Sequence, residues 1–193
     1  MPRPVILEVV TGSSDFTGLL KESGSFADVL TMDAMELVNG SDVRAEGSRG
    51  EAAAVLESLD RAYDPVALLR GVVNRLVDGG LLFVTALVSS GFDMAALGLH
   101  NLYLYPPDRA NCFSLQGLST VLRRVGLTLL EVSTPGVLDV EIVRAHLQQD
   151  PSIALSMFER QLLASGAQTY EAFQAFLQQQ GLSSFARIVA RKS

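Results

Sequence analysis

The chain is poor in the residues that build metal and redox sites. Its 193 residues include one cysteine, Cys112, and two histidines, His100 and His146. A single cysteine excludes an intrachain disulfide and any multi-cysteine metal site, and two histidines give little support to a histidine-rich one. His100 and Cys112 lack a partner constellation, so each reads as structural or exposed rather than as a nucleophile. No metal is expected. Positive charge is scarce as well. The net charge is −6 and no basic run exceeds Arg191-Lys192, which argues against a phosphate-neutralising surface for nucleic acid. Long apolar runs are missing, since the longest, Gly80 to Val88, is too short to span a bilayer. The N-terminus passes straight into the strand-like Val5-Ile6-Leu7 with no signal-peptide pattern. These absences predict a soluble, cytoplasmic chain with no membrane partner.

What is present predicts a globular domain. Apolar residues make up 48% and charged residues 19%, and the length suffices for one domain, 1–193, with a full core. Val5 to Val10 reads as a strand buried on both faces. A helix from Phe16 to Glu22 follows, with Ser14 or Asp15 as its cap. Ala27 to Met32 is a second strand ending on Asp33, and Ala52 to Leu56 a third ending on Glu57, with a polar, glycine-rich loop over 39–50 between them. Asp64 and Pro65 form an N-cap and first helical residue. Val66, Leu69, Val73, Leu76 and Val77 recur at helical spacing, and Gly79-Gly80 is expected to end that helix. Leu81 to Val88 then returns as a strand parallel to the one before. Ser114 caps a helix through Val125, Leu127 to Val132 is a strand, and Ser184 to Ala190 is the last. Between these two strands, 137–147 and 151–180 read as helical, with breaks at Asp150-Pro151 and Ser165-Gly166. The stretch 138–180 is expected to be a helical appendage. Its apolar positions, such as Ile153, Phe158 and Phe176, read as core or dimer surface.

The segment Leu7-Glu8-Val9-Val10-Thr11-Gly12-Ser13-Ser14-Asp15-Phe16 reads as a strand entering a turn and then a helix. A nucleotide-type cofactor turn wants an acid followed by glycines, which let backbone and ligand approach closely. Here Glu8 supplies the acid and Gly12 one glycine, while Val10 and Ser14 stand at two other glycine positions. There is no complete G-x-G-x-x-G, which argues against a dinucleotide.

Four further segments occur in a telling order: Val55-Leu56-Glu57-Ser58-Leu59-Asp60-Arg61, Leu76-Val77-Asp78-Gly79-Gly80-Leu81-Leu82, Pro106-Pro107-Asp108-Arg109-Ala110-Asn111-Cys112-Phe113-Ser114 and Val132-Ser133-Thr134-Pro135-Gly136-Val137-Leu138-Asp139-Val140. They resemble E-V-L-E-H, L-x-P-G-G-x-L, P-P-x-H-x-N-x-F-S and S-T-P-G-x-L-D-V of the class I S-adenosylmethionine-dependent methyltransferases, in particular the small-molecule group. The resemblance implies an α/β, Rossmann-like, mostly parallel sheet flanked by helices, reduced in its N-terminal half, with a helical insertion before the last strand. It implies S-adenosylmethionine as the methyl donor, held by Glu8, Val10, Thr11, Gly12, Asp33, Ala34, Glu57, Ser58 and Leu59. It implies a small acceptor, a sugar-linked or secondary-metabolite intermediate being one kind. It puts Arg61 and Arg109, in place of the family's two histidines, on the substrate side as the catalytic-position candidates.

The departures have physical content. Valine at position 10 resists positive φ and narrows the donor turn. Arginine cannot serve as an ordinary general base, although it can clamp an anion bidentately. The plain alternative is that Arg61 and Arg109 are surface residues. Leu102-Tyr103-Leu104-Tyr105 reads as packing plus loop, with an aromatic lid as the functional alternative. The stretch from Asp33 to Ala52 is one strand-helix unit short. Either Asp33 follows the second strand as the ribose acid and the third strand shrinks to Asp42-Val43-Arg44, or Asp33-Ala34-Met35-Glu36-Leu37 follows the third strand near adenine and the second is missing. The Glu8-to-Asp33 spacing favours the first. The expected function is methyl transfer to a small molecule. The alternative is a catalytically inactive methyltransferase-like scaffold that binds a protein partner, and a homodimer is compatible with both.

Overall fold

The computed structural model describes residues 3–11, 15–39, 49–104 and 108–193. Six strands form one mixed sheet in the order β2-β1-β3-β4-β6-β5. The strands are β1 (Val5–Val10), β2 (Asp28–Asp33), β3 (Gly50–Leu56), β4 (Leu76–Leu87), β5 (Leu127–Ser133) and β6 (Phe185–Lys192). The pairs β2-β1, β1-β3 and β3-β4 are parallel, and β6 runs antiparallel to both β4 and β5. The α/β architecture expected from the sequence is what the chain adopts.

Each face of the sheet has its own core. Leu7 and Val9 of β1 point to one side, where α2 (Ala34–Asn39), α3 (Pro65–Arg75) and α5 (Leu115–Arg124) bury Leu37, Leu68, Leu69, Leu118 and Leu122. Ile6 points to the other side, where Leu20 of α1 (Phe16–Glu22) packs with Val29, Ala52 and Ala54. This alternation follows from the two-residue repeat of a strand. Phe83 pairs in register with Ala54 and is still 37% exposed, so the cover on that side thins past β3.

Local chemistry explains the helix starts. The Asp64 carboxylate accepts from the Ala67 amide at 2.8 Å, with Pro65 at the first helical position. Ser114 accepts from the Gly117 amide at 3.0 Å. The end of α3 differs from expectation. The helix stops at Arg75, because Leu76 turns extended and pairs with Gly50 on β3. The pairing then resumes at Leu81 opposite Ala52. Gly79, at φ +79°, lies in the irregular stretch of β4 between those two pairings instead of ending the helix.

Two short helices lie outside the sequence expectations: α2, and α4 (Phe92–Leu97), which is followed by a single 3₁₀ turn, Gly98–His100. The stretch before β6 breaks into α6 (Asp139–Gln149), α7 (Met157–Leu163) and α8 (Ala167–Gln179). Residues 151–156 are not helical. There Ser156 and Glu159 form a reciprocal capping box that starts α7. Leu97, Val143, Ile153 and Leu155 make a small separate core joining these helices to α4, while Met157 and Phe158 stay exposed. Among the described residues no helix is long and apolar enough to cross a membrane.

Candidate functional site

A cleft of about 700 Å³ opens where β1 and β3 end. Such crevices, at the carboxyl ends of parallel strands, are where open α/β sheets bind ligands. Glu8, Val10, Thr11, Glu57, Ser58 and Arg61 line it, together with the apolar walls Phe16, Met35, Leu56 and Tyr63. Glu8 is buried at 3% exposure on a strand flanked by two others, and its carboxylate accepts the hydroxyl of Thr17 on α1.

Val10 remains in β1, opposite Asp33. Glu57 is the one non-glycine with positive φ among the described residues, so the objection that valine resists that conformation does not arise at position 10. The residue still belongs to the cleft wall. Gly12 and Ser14 lie outside the described residues, as do the reduced strand over 42–44 and Tyr105.

Asp33 closes the strand that borders β1. Its Oδ1 accepts from the amides of Met35 (2.8 Å) and Glu36 (3.2 Å), capping α2. Ala34 and Leu59 face the core, at 4% and 0% exposure. Neither they nor Asp33 belongs to the wall of the cleft. The cleft residues that sequence reasoning missed, Met35 and Tyr63 among them, carry no motif.

Glu57 stands at the junction of this cleft with a second one, of about 440 Å³. Its φ of 49° is uncommon for a side-chain-bearing residue, and its amide donates to the Thr85 carbonyl of β4 at 2.9 Å. The turn aims the carboxylate at Arg109, whose Nη2 donates to it at 3.1 Å. Nη1 of Arg109 pairs with Asp60, which is 1% exposed. Arg61 makes a fork with Asp108, Nε and Nη2 both donating at 3.1 Å, and gives Nη1 to the Glu57 carbonyl at 2.8 Å. Asn111 adds bonds to the carbonyl of Ala62 (2.5 Å) and, through its amide, to that of Asp60 (2.9 Å). Residues 108–111 are thereby tied to 57–62. Arg61 lines the first cleft and Arg109 the second, each engaged with carboxylates of the chain itself.

The second cleft is lined by Leu87, Asp93, Tyr103, Arg109, Leu138, Asp139 and Phe185 among others. Asp139 is 2% exposed. It accepts from Ser183 Oγ (2.7 Å), the Ser184 amide (2.7 Å) and Gln174 Nε2 (2.7 Å), which joins α6, α8 and the start of β6. Gly136 permits this closeness, because a Cβ there would overlap Ser183 Oγ. Asp93 is fully buried and takes Asn101 Nδ2 on one oxygen at 3.0 Å. Burial pushes its carboxyl above the ordinary range, with smaller lowering by Ser184 and Asn101 and a further rise from the Asp139 charge.

The remaining candidates sit apart. Cys112 is exposed. His146 accepts the Leu102 amide on Nε2 at 3.2 Å and has Nδ1 2.8 Å from the Ile142 carbonyl. Among the described residues no group of three or more His, Cys, Asp or Glu side chains could hold a metal ion.

No protein-family model matches the chain, and no curated protein does. Solved structures match over its whole length. An S-adenosylmethionine dependent methyltransferase from Mesorhizobium loti is 14% identical, with 99% of this chain and 92% of that one covered and a TM-score of 0.56. The [4+2]-cyclase SpnF is 17% identical over 99% of this chain and 75% of that one, at a TM-score of 0.52. An O-methyltransferase family 2 protein from Planctomyces limnophilus, solved with apigenin, is 13% identical over 100% and 50%, at 0.54. The chain thus has the fold of the class I S-adenosylmethionine-dependent methyltransferases.

Proposed function

We propose that the chain is an S-adenosylmethionine-dependent methyltransferase of a small molecule, with the donor in the first cleft and the acceptor in the second. The observation that carries this reading is the meeting of the two clefts at Glu57, one at the ends of β1 and β3 and the other beneath α4 and α6. A two-substrate transfer needs two adjoining compartments.

The first cleft fits the donor chemically. Its 700 Å³ lies within the roughly 300–1,000 Å³ of small-molecule sites. Glu8, Glu57 and Asp108 give it an acidic lining against the single cation Arg61, which suits a ligand carrying a sulfonium, an ammonium and ribose hydroxyls. Phe16, Met35, Leu56 and Tyr63 offer apolar surface to a purine. Bound there, the donor supplies an activated methyl group. The chain's own part is to align the two reactants and exclude water. Arg61 and Arg109 keep the loops that carry Glu57 and Asp60 in place. The two arginines are positioning residues in this reading, and neither acts as a base.

Calorimetric titration of the full chain with S-adenosylmethionine and S-adenosylhomocysteine tests it. Micromolar binding of either supports the reading and leads to an acceptor screen. No heat and no thermal stabilisation at millimolar ligand refutes it, and favours a scaffold that uses the same fold without catalysis.

A further inference from the structure

The second cleft contains a buried acid whose hydrogen bonding is incomplete. Asp93, in the first turn of α4, is 0% exposed and lines the cleft. Its Oδ2 takes Asn101 Nδ2, and its Oδ1 has no hydrogen-bond partner. A buried polar oxygen left unmatched is destabilising, so an oxygen in this state on a cavity wall marks where a ligand donor belongs. The Ser184 hydroxyl faces the carboxyl and offsets part of the effect of burial, but completes no bond to Oδ1.

The charges around the cleft indicate what kind of donor. Asp139 holds its place with three donors, and Arg109 is committed to Asp60 and Glu57. The wall of the cleft thus carries three carboxyl groups, those of Glu57, Asp93 and Asp139, and one guanidinium. The rest of the wall is apolar: Leu87, Ile142, Leu138 and Phe185, with the ring of Tyr103 at the rim. An unmatched acceptor in a net-negative, apolar-walled cavity fits a cation with an apolar body.

We propose that the second cleft takes the protonated amine of a small amphipathic molecule, with Asp93 Oδ1 accepting its N–H and the apolar wall covering its body. Calling that molecule the methyl acceptor rests on the function proposed above. The amine site itself stands on the geometry of Asp93. The close approach that builds the site is fixed by Gly91, where a Cβ would overlap the backbone of Ser184.

Three probes with one aryl body and different ends decide it: phenethylamine, 2-phenylethanol and 3-phenylpropionate, titrated into the full chain by ligand-observed NMR. The amine is expected to bind at least tenfold more tightly than the other two. Asp93→Asn should weaken the amine at least tenfold and leave the alcohol within threefold. Leu138→Arg changes a side chain that is 56% exposed and so spares the fold. It should weaken the amine to a similar degree by adding a cation at the mouth. Equal affinity for the three probes, preference for the carboxylate, absence of binding by all of them, or an amine unaffected by both variants overturns the proposal. S-adenosylhomocysteine titrated into the same samples separates the two readings. Donor binding without amine preference removes only this inference, and amine preference without donor binding removes only the methyltransferase reading.

Discussion

Replacing Arg109 with methionine should destabilise the fold by about 3–5 kcal/mol, the range for removing one partner of a buried ion pair. The side chain of Asp60 is 1% exposed and that of Arg109 10%, so the pair is shielded from water. Asp60 Oδ1 already lacks a hydrogen-bond partner, and without the guanidinium the whole carboxylate would be stranded. The lost contact to Glu57 adds little, since that side chain is 42% exposed. Methionine keeps much of the length of the arginine stem, so cavity formation is a minor part of the effect. Neutralising the stranded acid should then restore stability, and Asp60→Asn placed in the Arg109→Met background should recover more than half of the loss. With a urea m-value of about 2–3 kcal/mol/M, the single variant should unfold ~1–2.5 M earlier than the wild type. Equilibrium urea unfolding of the wild type, both single variants and the double variant measures this directly. A midpoint for Arg109→Met within about 0.3 M of wild type, or a double variant no more stable than that single one, would refute the reasoning.

Three other outcomes follow from the geometry. Gly91→Ala should destabilise by about 1–3 kcal/mol, the usual cost of overpacking, because its Cβ meets backbone atoms of Ser184; donor binding in the first cleft should survive it, and calorimetry beside urea unfolding checks both. Asp93 binds its proton more tightly in the folded than in the unfolded chain, so its contribution is fully present below the ordinary value of 3.8 and is lost as pH rises through the raised folded value. Asp93→Asn should accordingly flatten the fall in melting temperature from acid towards neutral pH, which thermal melts across that window record. Val10→Gly should tighten S-adenosylhomocysteine binding several-fold by trimming the cleft wall, at about 0.5–1 kcal/mol in strand stability; unchanged affinity would mean that another part of the wall limits the donor.

Elements with local signals were legible in the sequence. Asp64-Pro65 and Ser114 announced α3 and α5 because capping is a contact between near neighbours. The end of α3 was misjudged because Leu76 leaves the helix to pair with Gly50, a partner far away in sequence. The helix α4 gave no signal, since it is short and its close packing rests on Gly91 meeting Ser184 across the fold. Site residues behaved likewise. Glu8, Glu57 and Ser58 were reachable through motifs at strand ends, and they do line the cleft. Leu59 sits next to two of them and faces the core, a difference set by backbone direction rather than residue type. Asp93 had no motif at all, and its character comes only from burial and an unmatched oxygen.

The position of β6 bears on how the molecule is made. It lies between β4 and β5, although both precede it in the chain, and its pairings link residues such as Phe83 and Val189. Contacts of such long sequence separation form late and slow the search for the native state. A ribosome that has produced everything up to residue 184 holds a chain in which β5 has no neighbour and β4 shows an open edge. Open edges of this kind recruit strands from other chains. During synthesis, then, the edge of β4 is covered only once β6, the strand that joins β5 to the other four, has emerged.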